Sequence, residues 1–361
     1  MGESSEDTIA DPQRTRRTRF VCISDTHNRT VKLPKGDVLI HCGDLTNQGS
    51  YSELSKQVQW LENADFECKI VIAGNHDLTL DTAYYEQYGA YAHNNAPQDP
   101  AACQALLTQS PSLIYLQHAS RTIQLAAPSG PRTTFTVFGS PYIPSCGRWA
   151  FQYPRTDEAA ADKLWRDIPL DTDVLITHGP ARAHRDEAQR RREAAGCEVL
   201  RQALWRVRPR LALCGHVHEA RGAERVRWDL SNRFVRYKEL GAPVQWEDPG
   251  VGNEKNCLVD LTAKGGMPLD NDGGRVSSPP AQTAVPVTRT EGANPGLGTR
   301  GLSGTPASAR SDQSALAGRL GRRETCVVNC AVQASSYPHT GLHKPIVVDI
   351  DLPIWDDIND S

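Results

Sequence analysis

Five times along this chain a short apolar run breaks off at a glycine, an aspartate or a histidine. Arg19-Phe-Val-Cys-Ile-Ser24 ends in Asp25-Thr26-His27, Asp37-Val-Leu-Ile-His-Cys42 ends in Gly43-Asp44, and Lys69-Ile-Val-Ile-Ala73 ends in Gly74-Asn75-His76-Asp77. Further on, Asp173-Val-Leu-Ile-Thr177 ends in His178-Gly179, and Leu211-Ala-Leu-Cys214 ends in Gly215-His216-Val217-His218. Short, almost wholly apolar runs between turn residues suit strands buried on both faces. Between the second and third runs, Tyr51 to Glu62 carries Leu54, Val58 and Leu61 at helical spacing, and Glu198 to Val207 repeats that pattern before the fifth. The result is a βαβ rhythm, with polar residues gathered after the C-terminal ends of strands, where sites form in α/β sheets.

Further strands are expected at Leu113 to Leu116, Arg121 to Leu125, Thr133 to Phe138, Thr325 to Val332 and Pro345 to Leu352. Residues 1–17, with early acids and then arginines, read as a flexible, solvated tail. Residues 18–361 read as a single domain, interrupted by an insertion at about 226–323. Within that insertion, Pro, Gly, Ser, Thr and Ala dominate residues 264–318 and no aromatic residue occurs, so ordering entropy would outweigh burial and disorder is expected.

Composition narrows the function classes. A net charge of −3 lacks the basic excess of a nucleic-acid surface, so no such partner is expected. No apolar run nears the roughly 18 residues of a membrane span, and the N-terminus lacks the apolar core of a secretory signal. The ten cysteines include no Cys-x-x-Cys pair. Cys22, Cys42 and Cys214 lie in apolar runs and read as buried thiols, while Cys326 and Cys330 share a strand face as a reduced pair or a disulfide. A cytoplasmic location is expected.

The strand ends bring together Asp25, His27, Asp44, Asn75, His76, His178, His216 and His218. Seven of these suit metal ligation by carboxylate, imidazole and amide, and Asp44 is placed to bridge two cations. Mixed nitrogen and oxygen donors suit Mn, Fe, Zn or Ni better than Mg or Ca, which favour oxygen shells. Glycines beside the ligands (Gly43, Gly74, Gly179, Gly215) allow the sharp turns that such convergence needs.

In this order, Asp25-Thr-His27, Gly43-Asp44, Gly74-Asn-His-Asp77, His178 and Gly215-His-Val-His218 resemble the motif series of the calcineurin-like metallophosphoesterases. Val21 to His27, Ile70 to Asp77, Gly139-Ser-Pro-Tyr142, Leu175 to Pro180, Arg208 to Leu211 and Pro345 to Asp349 look most like the metallophosphoesterase domain-containing subgroup, related to class III cyclic-nucleotide phosphodiesterases. The insertion is similar to that of longer fungal members. The resemblance spans roughly residues 18–225 and 325–353. It implies a four-layer αββα sandwich of two mixed β-sheets flanked by helices. It implies two divalent metal ions, one held by Asp25, His27 and His218, the other by Asn75, His178 and His216, with Asp44 between them. It implies phosphoester hydrolysis, of the phosphodiesterase type, in which a metal-bridging hydroxide attacks phosphorus and His76 serves the leaving oxygen. The partner is then a small phosphoester, with a nucleotide among the candidates. A nucleotide-binding scaffold without turnover is the alternative, and a mononuclear amide hydrolase leaves Asn75 and one histidine pair unexplained.

The loop Gly139 to Trp149 offers Tyr142, Arg148 and Trp149 for substrate, by stacking on a base or gripping phosphate; packing of its aromatics on the core is the rival reading. Asp77 is expected to orient a loop. His41 reads as a support of the site or as a core histidine, and His118 and His184 as structural or solvated. Arg182 and Arg185 could meet an anion or mark a solvated helix start, and Arg190 to Arg192 read as a helix face.

Overall fold

A computed structural model of the chain describes residues 14–188, 193–229, 239–271, 322–334 and 341–355. In chain order the elements are β1 (Thr15–Ile23), β2 (Val38–His41), α1 (Tyr51–Glu62), β3 (Cys68–Val71), α2 (Thr82–Ala92), α3 (Pro100–Thr108), β4 (Ile114–Tyr115), β5 (Ala119–Gln124) and β6 (Thr134–Ser140). There follow β7 (Ile143–Pro144), β8 (Gln152–Tyr153), α4 (Glu158–Arg166), β9 (Val174–Thr177), β10 (Glu187–Ala188), β11 (Glu193–Ala194), α5 (Glu198–Val207) and β12 (Leu211–Cys214). The last are β13 (Gly222–Arg227), β14 (Val244–Gln245), β15 (Cys257–Leu261), β16 (Glu324–Asn329) and β17 (Ile346–Pro353).

Two large sheets carry the fold, in the orders β15-β17-β1-β2-β3-β4 and β14-β13-β16-β12-β9-β6-β5. Both are mixed: β1, β2 and β3 run parallel while β17 runs antiparallel to β1, and β6, β9, β12 and β16 run parallel while β13 is antiparallel to β16. The alternation along each strand explains the continuous apolar runs. Phe20, Cys22, Ile40, Ile70, Ile176, Leu213 and Val328 fill the core between the sheets. Their neighbours Val21, Ile23, Leu39 and Val71 pack outward with α1, α2 and α3, and Leu175, Ala212 and Val327 pack outward with α4 and α5. This is the expected four-layer αββα sandwich. Helix α1 starts at a capping box, with the Ser50 amide donating to Glu53 Oε2 at 2.9 Å and the Glu53 amide to Ser50 Oγ at 3.4 Å. Among the described residues, no helix is long and apolar enough to cross a membrane.

Three boundaries differ from the sequence reading. Thr15, Arg16 and Arg17, placed there in the tail, pair with Pro353, Leu352 and Asp351. They are exposed on both faces, so no apolar pattern marks them as strand. The stretch taken as an insertion from 226 contributes β14 to an edge of the second sheet, and β15 pairs in parallel with β17 at the edge of the first. The start of the presumed disorder at 264 is also too early, because Leu269 and Asn271 are buried. Asn271 Oδ1 accepts from the amides of Arg323 and Glu324, and its Nδ2 donates to the Glu324 carbonyl, each at 2.9 Å. The rest of that segment, 272–318, lies outside the described residues, as do residues 1–13. Arg182 and Arg185 precede a two-stranded hairpin of β10 and β11 rather than a helix, and Arg190 to Arg192 fall outside the described residues.

Candidate metal centre

Because β1, β2 and β3 are parallel and in register, their C-terminal ends open at one edge, and β9 and β12 do the same in the other sheet. The five loops after these strands meet between the sheets and brace one another. The Asp25 amide donates to the Gly43 carbonyl at 3.0 Å, and the His27 amide to the Asp44 carbonyl at 3.2 Å. Across the sheets, the His216 amide donates to the Asp25 carboxylate at 3.0 Å and His178 Nδ1 to the Cys42 carbonyl at 2.9 Å. Asp77 is fully buried and ties two loops together: its carboxylate accepts from the amides of Leu45, Thr46 and Gly74 and from the Thr46 hydroxyl. Burial first, and then Asp44, push its carboxyl up to about 6.

Convergence strains the backbone. Asp25, His27, Asp44 and His216 all sit at positive φ, between 44° and 65°. Such conformations are disfavoured for residues with a Cβ, by about 1–3 kcal/mol each, and persist where the surroundings enforce them. Space is equally tight. A side chain on Gly74 would collide with the Asp44 amide and Oδ1, and one on Gly215 with Ser24 Oγ and Asp25 Oδ2.

The side chains form two adjoining groups, and a third, of His27, Asp44 and His76, overlaps both. Asp25, His27 and His218 place ligand atoms within 4.8 Å of one another, and so do Asp44, His178 and His216. Asp44 reaches both groups, with Oδ1 3.3 Å from His178 Nε2 and Oδ2 3.7 Å from His27 Nε2. Asn75 Oδ1 lies 3.0 Å from His178 Nε2, and His27 Nε2 lies 3.3 Å from His218 Nε2. Burial opposes charge on Asp25 and Asp44, but His218 beside the first and His178 beside the second hold both carboxyls below the ordinary range. Burial lowers His27, and lowers His216 to about 4. At His178 burial works downward, but Asp44 overrides it and pushes the imidazole up to about 9.

The donor chemistry fits a metal. Nδ1 of His27 faces the Thr46 carbonyl at 3.2 Å and Nδ1 of His178 faces that of Cys42, contacts that place the ring proton on Nδ1 and the Nε2 lone pair inward. At His178 that lone pair then faces two acceptors, Asn75 Oδ1 and Asp44 Oδ1. Acceptors converging in this way call for a cation among them.

His76 stands beside this centre. Its amide donates to Asp44 Oδ1 at 2.8 Å and its Nδ1 to the Asn47 carbonyl at 2.8 Å, and among the described residues no hydrogen bond reaches Nε2. Its ring meets His27 edge-on, with centroids 4.7 Å apart, and stacks on Trp149 at 3.9 Å and 31°. Of the other residues proposed for substrate, Arg148 is exposed with its guanidinium 5.4 Å from the Tyr91 ring centre, and Tyr142 is half-buried against Phe151 and His118. His41 is both a core residue and a support: Nε2 meets Thr26 Oγ1 at 3.0 Å and Nδ1 accepts from the Gly43 amide at 3.3 Å. His118 packs on Phe138 and bonds Ser140, away from the ligand groups. Arg185 donates to the Ala223 carbonyl and Arg182 pairs with Glu198.

Sequence reasoning missed Asn47, whose contribution is a backbone carbonyl and leaves no trace in residue type. It missed Cys146, whose Sγ lies 3.9 Å from His216 Nε2. It also missed a buried charge cluster, in which His184 bonds Glu224 Oε1 at 2.7 Å and Glu239 Oε1 at 3.1 Å.

The sequence model of the calcineurin-like phosphoesterases matches residues 18–220. The chain is 45% identical over 217 residues, 60% of its length and 18% of the relative's, to a probable rhamnogalacturonate lyase C of Emericella nidulans. It is 40% identical over 215 residues, 57% of its length and 62% of the relative's, to metallophosphoesterase domain-containing protein 1 of Homo sapiens. It is 32% identical over 228 residues, 58% of its length and 54% of the relative's, to a UPF0046 protein of Caenorhabditis elegans. The chain spans less than two thirds of the length of each of these relatives.

Proposed function

Because this chain belongs to the calcineurin-like phosphoesterase family, we propose that it is a dinuclear, metal-dependent phosphoester hydrolase whose substrates are phosphodiesters, cyclic nucleotides among them. One observation carries this reading: the Asp44 carboxylate presents one oxygen to each of two imidazole groups. Asp25, His27 and His218 would hold one divalent cation, Asn75, His178 and His216 the second, and Asp44 both. The borderline donor set favours Mn, Fe, Zn or Ni. When bound, the cations supply Lewis acidity to the phosphoryl oxygens and lower the pKa of a shared water.

The chain's own residues do the rest. His76 keeps its Nδ1 proton on Asn47 and, when protonated at Nε2, donates that proton to the departing oxygen. The Asn47 bond holds the ring and the amide bond to Asp44 fixes the backbone behind it, so little reorganisation accompanies the transfer. On the loop beside His76, Tyr142 and Arg148 are the substrate-facing candidates. The ten free cysteines support a reducing compartment, the cytoplasm.

The test is metal content per chain together with Mn-stimulated hydrolysis of bis-p-nitrophenyl phosphate, for wild type and Asp44→Ala. Two metals and turnover, both lost in the variant, are expected. Two metals with no turnover on any ester would instead point to a nucleotide-binding protein.

A further inference from the structure

The stretch that carries Trp149 is stapled to the stretch that carries His76. Tyr84 Oη donates to the Arg148 carbonyl at 2.7 Å, the Ala150 amide to the Asn75 carbonyl at 3.1 Å, and the Phe151 amide to Asp81 Oδ2 at 2.8 Å. Phe151 adopts φ 55°, so the chain turns sharply just after the tryptophan. These bonds hold both flanks of Trp149 against residues 75–84, and the indole lies over the His76 imidazole with centroids 3.9 Å apart.

We propose that Trp149 is a positioning residue for His76, fixing the imidazole plane rather than stacking on a substrate base. The role rests on the reading of His76 as proton donor. Two restraints already act on that ring, the Nδ1 bond to Asn47 and the edge contact with His27. A hydrogen bond along one axis still lets an imidazole rock about that axis. A ring stacked on its face removes that freedom and holds Nε2 on one line. Stacked aromatic pairs are stabilised by an amount that corresponds to about three- to tenfold in a rate. The indole face that covers His76 is also unavailable to a nucleobase.

The experiment compares Trp149→Ala, Trp149→Phe and Trp149→Leu in the metal-loaded protein. The substrates are bis-p-nitrophenyl phosphate, whose leaving group needs little protonation, and methyl phenyl phosphate, whose leaving group needs more. Expected for Trp149→Ala and Trp149→Leu are an intact metal content, a KM within about twofold of wild type and a kcat loss of about three- to tenfold on the poorer leaving group. The loss should be smaller on the activated one, and Trp149→Phe should restore most of it. His76 ring protons should move downfield in the NMR spectrum of Trp149→Ala as the indole ring current disappears. A raised KM with unaltered kcat would make Trp149 a substrate contact and overturn the proposal, as would ring protons that do not move. Wild type with no turnover would sink the hydrolase reading and this role with it. Turnover that survives Trp149→Ala unchanged on both esters sinks only the role of Trp149.

Discussion

His178 directly follows β9 of one sheet, and its Nδ1 donates across 2.9 Å to the carbonyl of Cys42, which directly follows β2 of the other. One imidazole thus joins the two sheets and presents Nε2 to Asp44 and Asn75. His178→Ala should therefore remove one metal and leave the group of Asp25, His27 and His218 able to hold the other. Metal analysis of the purified variant should give about one ion per chain, and retention of two would exclude His178 as a ligand.

His76→Ala should keep both metals and lower turnover by roughly 10²–10⁴, the usual range for general acid–base help. The loss should grow as the leaving group worsens. A uniform loss across leaving groups would assign the defect to substrate placement instead.

His184 supports the fold away from the ligand groups. Burial works against its charge, but Glu224 and Glu239 outweigh it and raise its pKa above the ordinary 6.5. Arg201, bidentate on Glu239, and Arg185, near Glu224, complete the cluster. A histidine with a raised folded pKa contributes stability that is fully present below its unfolded value and fades as pH rises through the folded one. Urea midpoints of wild type should thus fall from pH 6 toward pH 9 more steeply than those of His184→Gln. His184→Ala should cost about 1–3 kcal/mol, since two buried carboxylates lose their shared donor but keep Arg201 and Arg185 nearby. Parallel pH profiles for wild type and His184→Gln would rule out a charged His184.

Asn271 closes three hydrogen bonds onto the start of β16. Asn271→Ala should destabilise the protein by about 1–3 kcal/mol, because buried amides and a carbonyl lose their partner. Chemical denaturation measures this, and a change within error would show that those groups find other partners.

The central strands were legible because each is buried on both faces and so reads as an unbroken apolar run. Helices α1 and α5 were legible from helical spacing alone, and their predicted bounds match. The candidate ligands were legible because each follows such a run. What escaped was set by distant partners. Cys257-Leu-Val-Asp-Leu261 alternates buried and half-buried positions, and only its pairing with β17 makes it a sheet strand. Thr15 to Arg17 are strand by virtue of the same partner. The stack of Trp149 on His76 and the bonds of His184 to Glu224 and Glu239 join residues far apart in sequence, and no local pattern announces them.

The union of β1 with β17 also bears on the order of assembly. Arg19 grips Asp349 through two bonds of 2.7 Å, a contact between residues 330 positions apart. Strand β1 delivers Asp25 and His27, yet every strand of the second sheet precedes its antiparallel neighbour β17 in chain order. The ligand-bearing edge of the first sheet must therefore wait, half-paired, while the second sheet is synthesised. Contacts of such long range make folding slow. Metal capture should accordingly wait until both sheets have been made, completing the fold rather than guiding it.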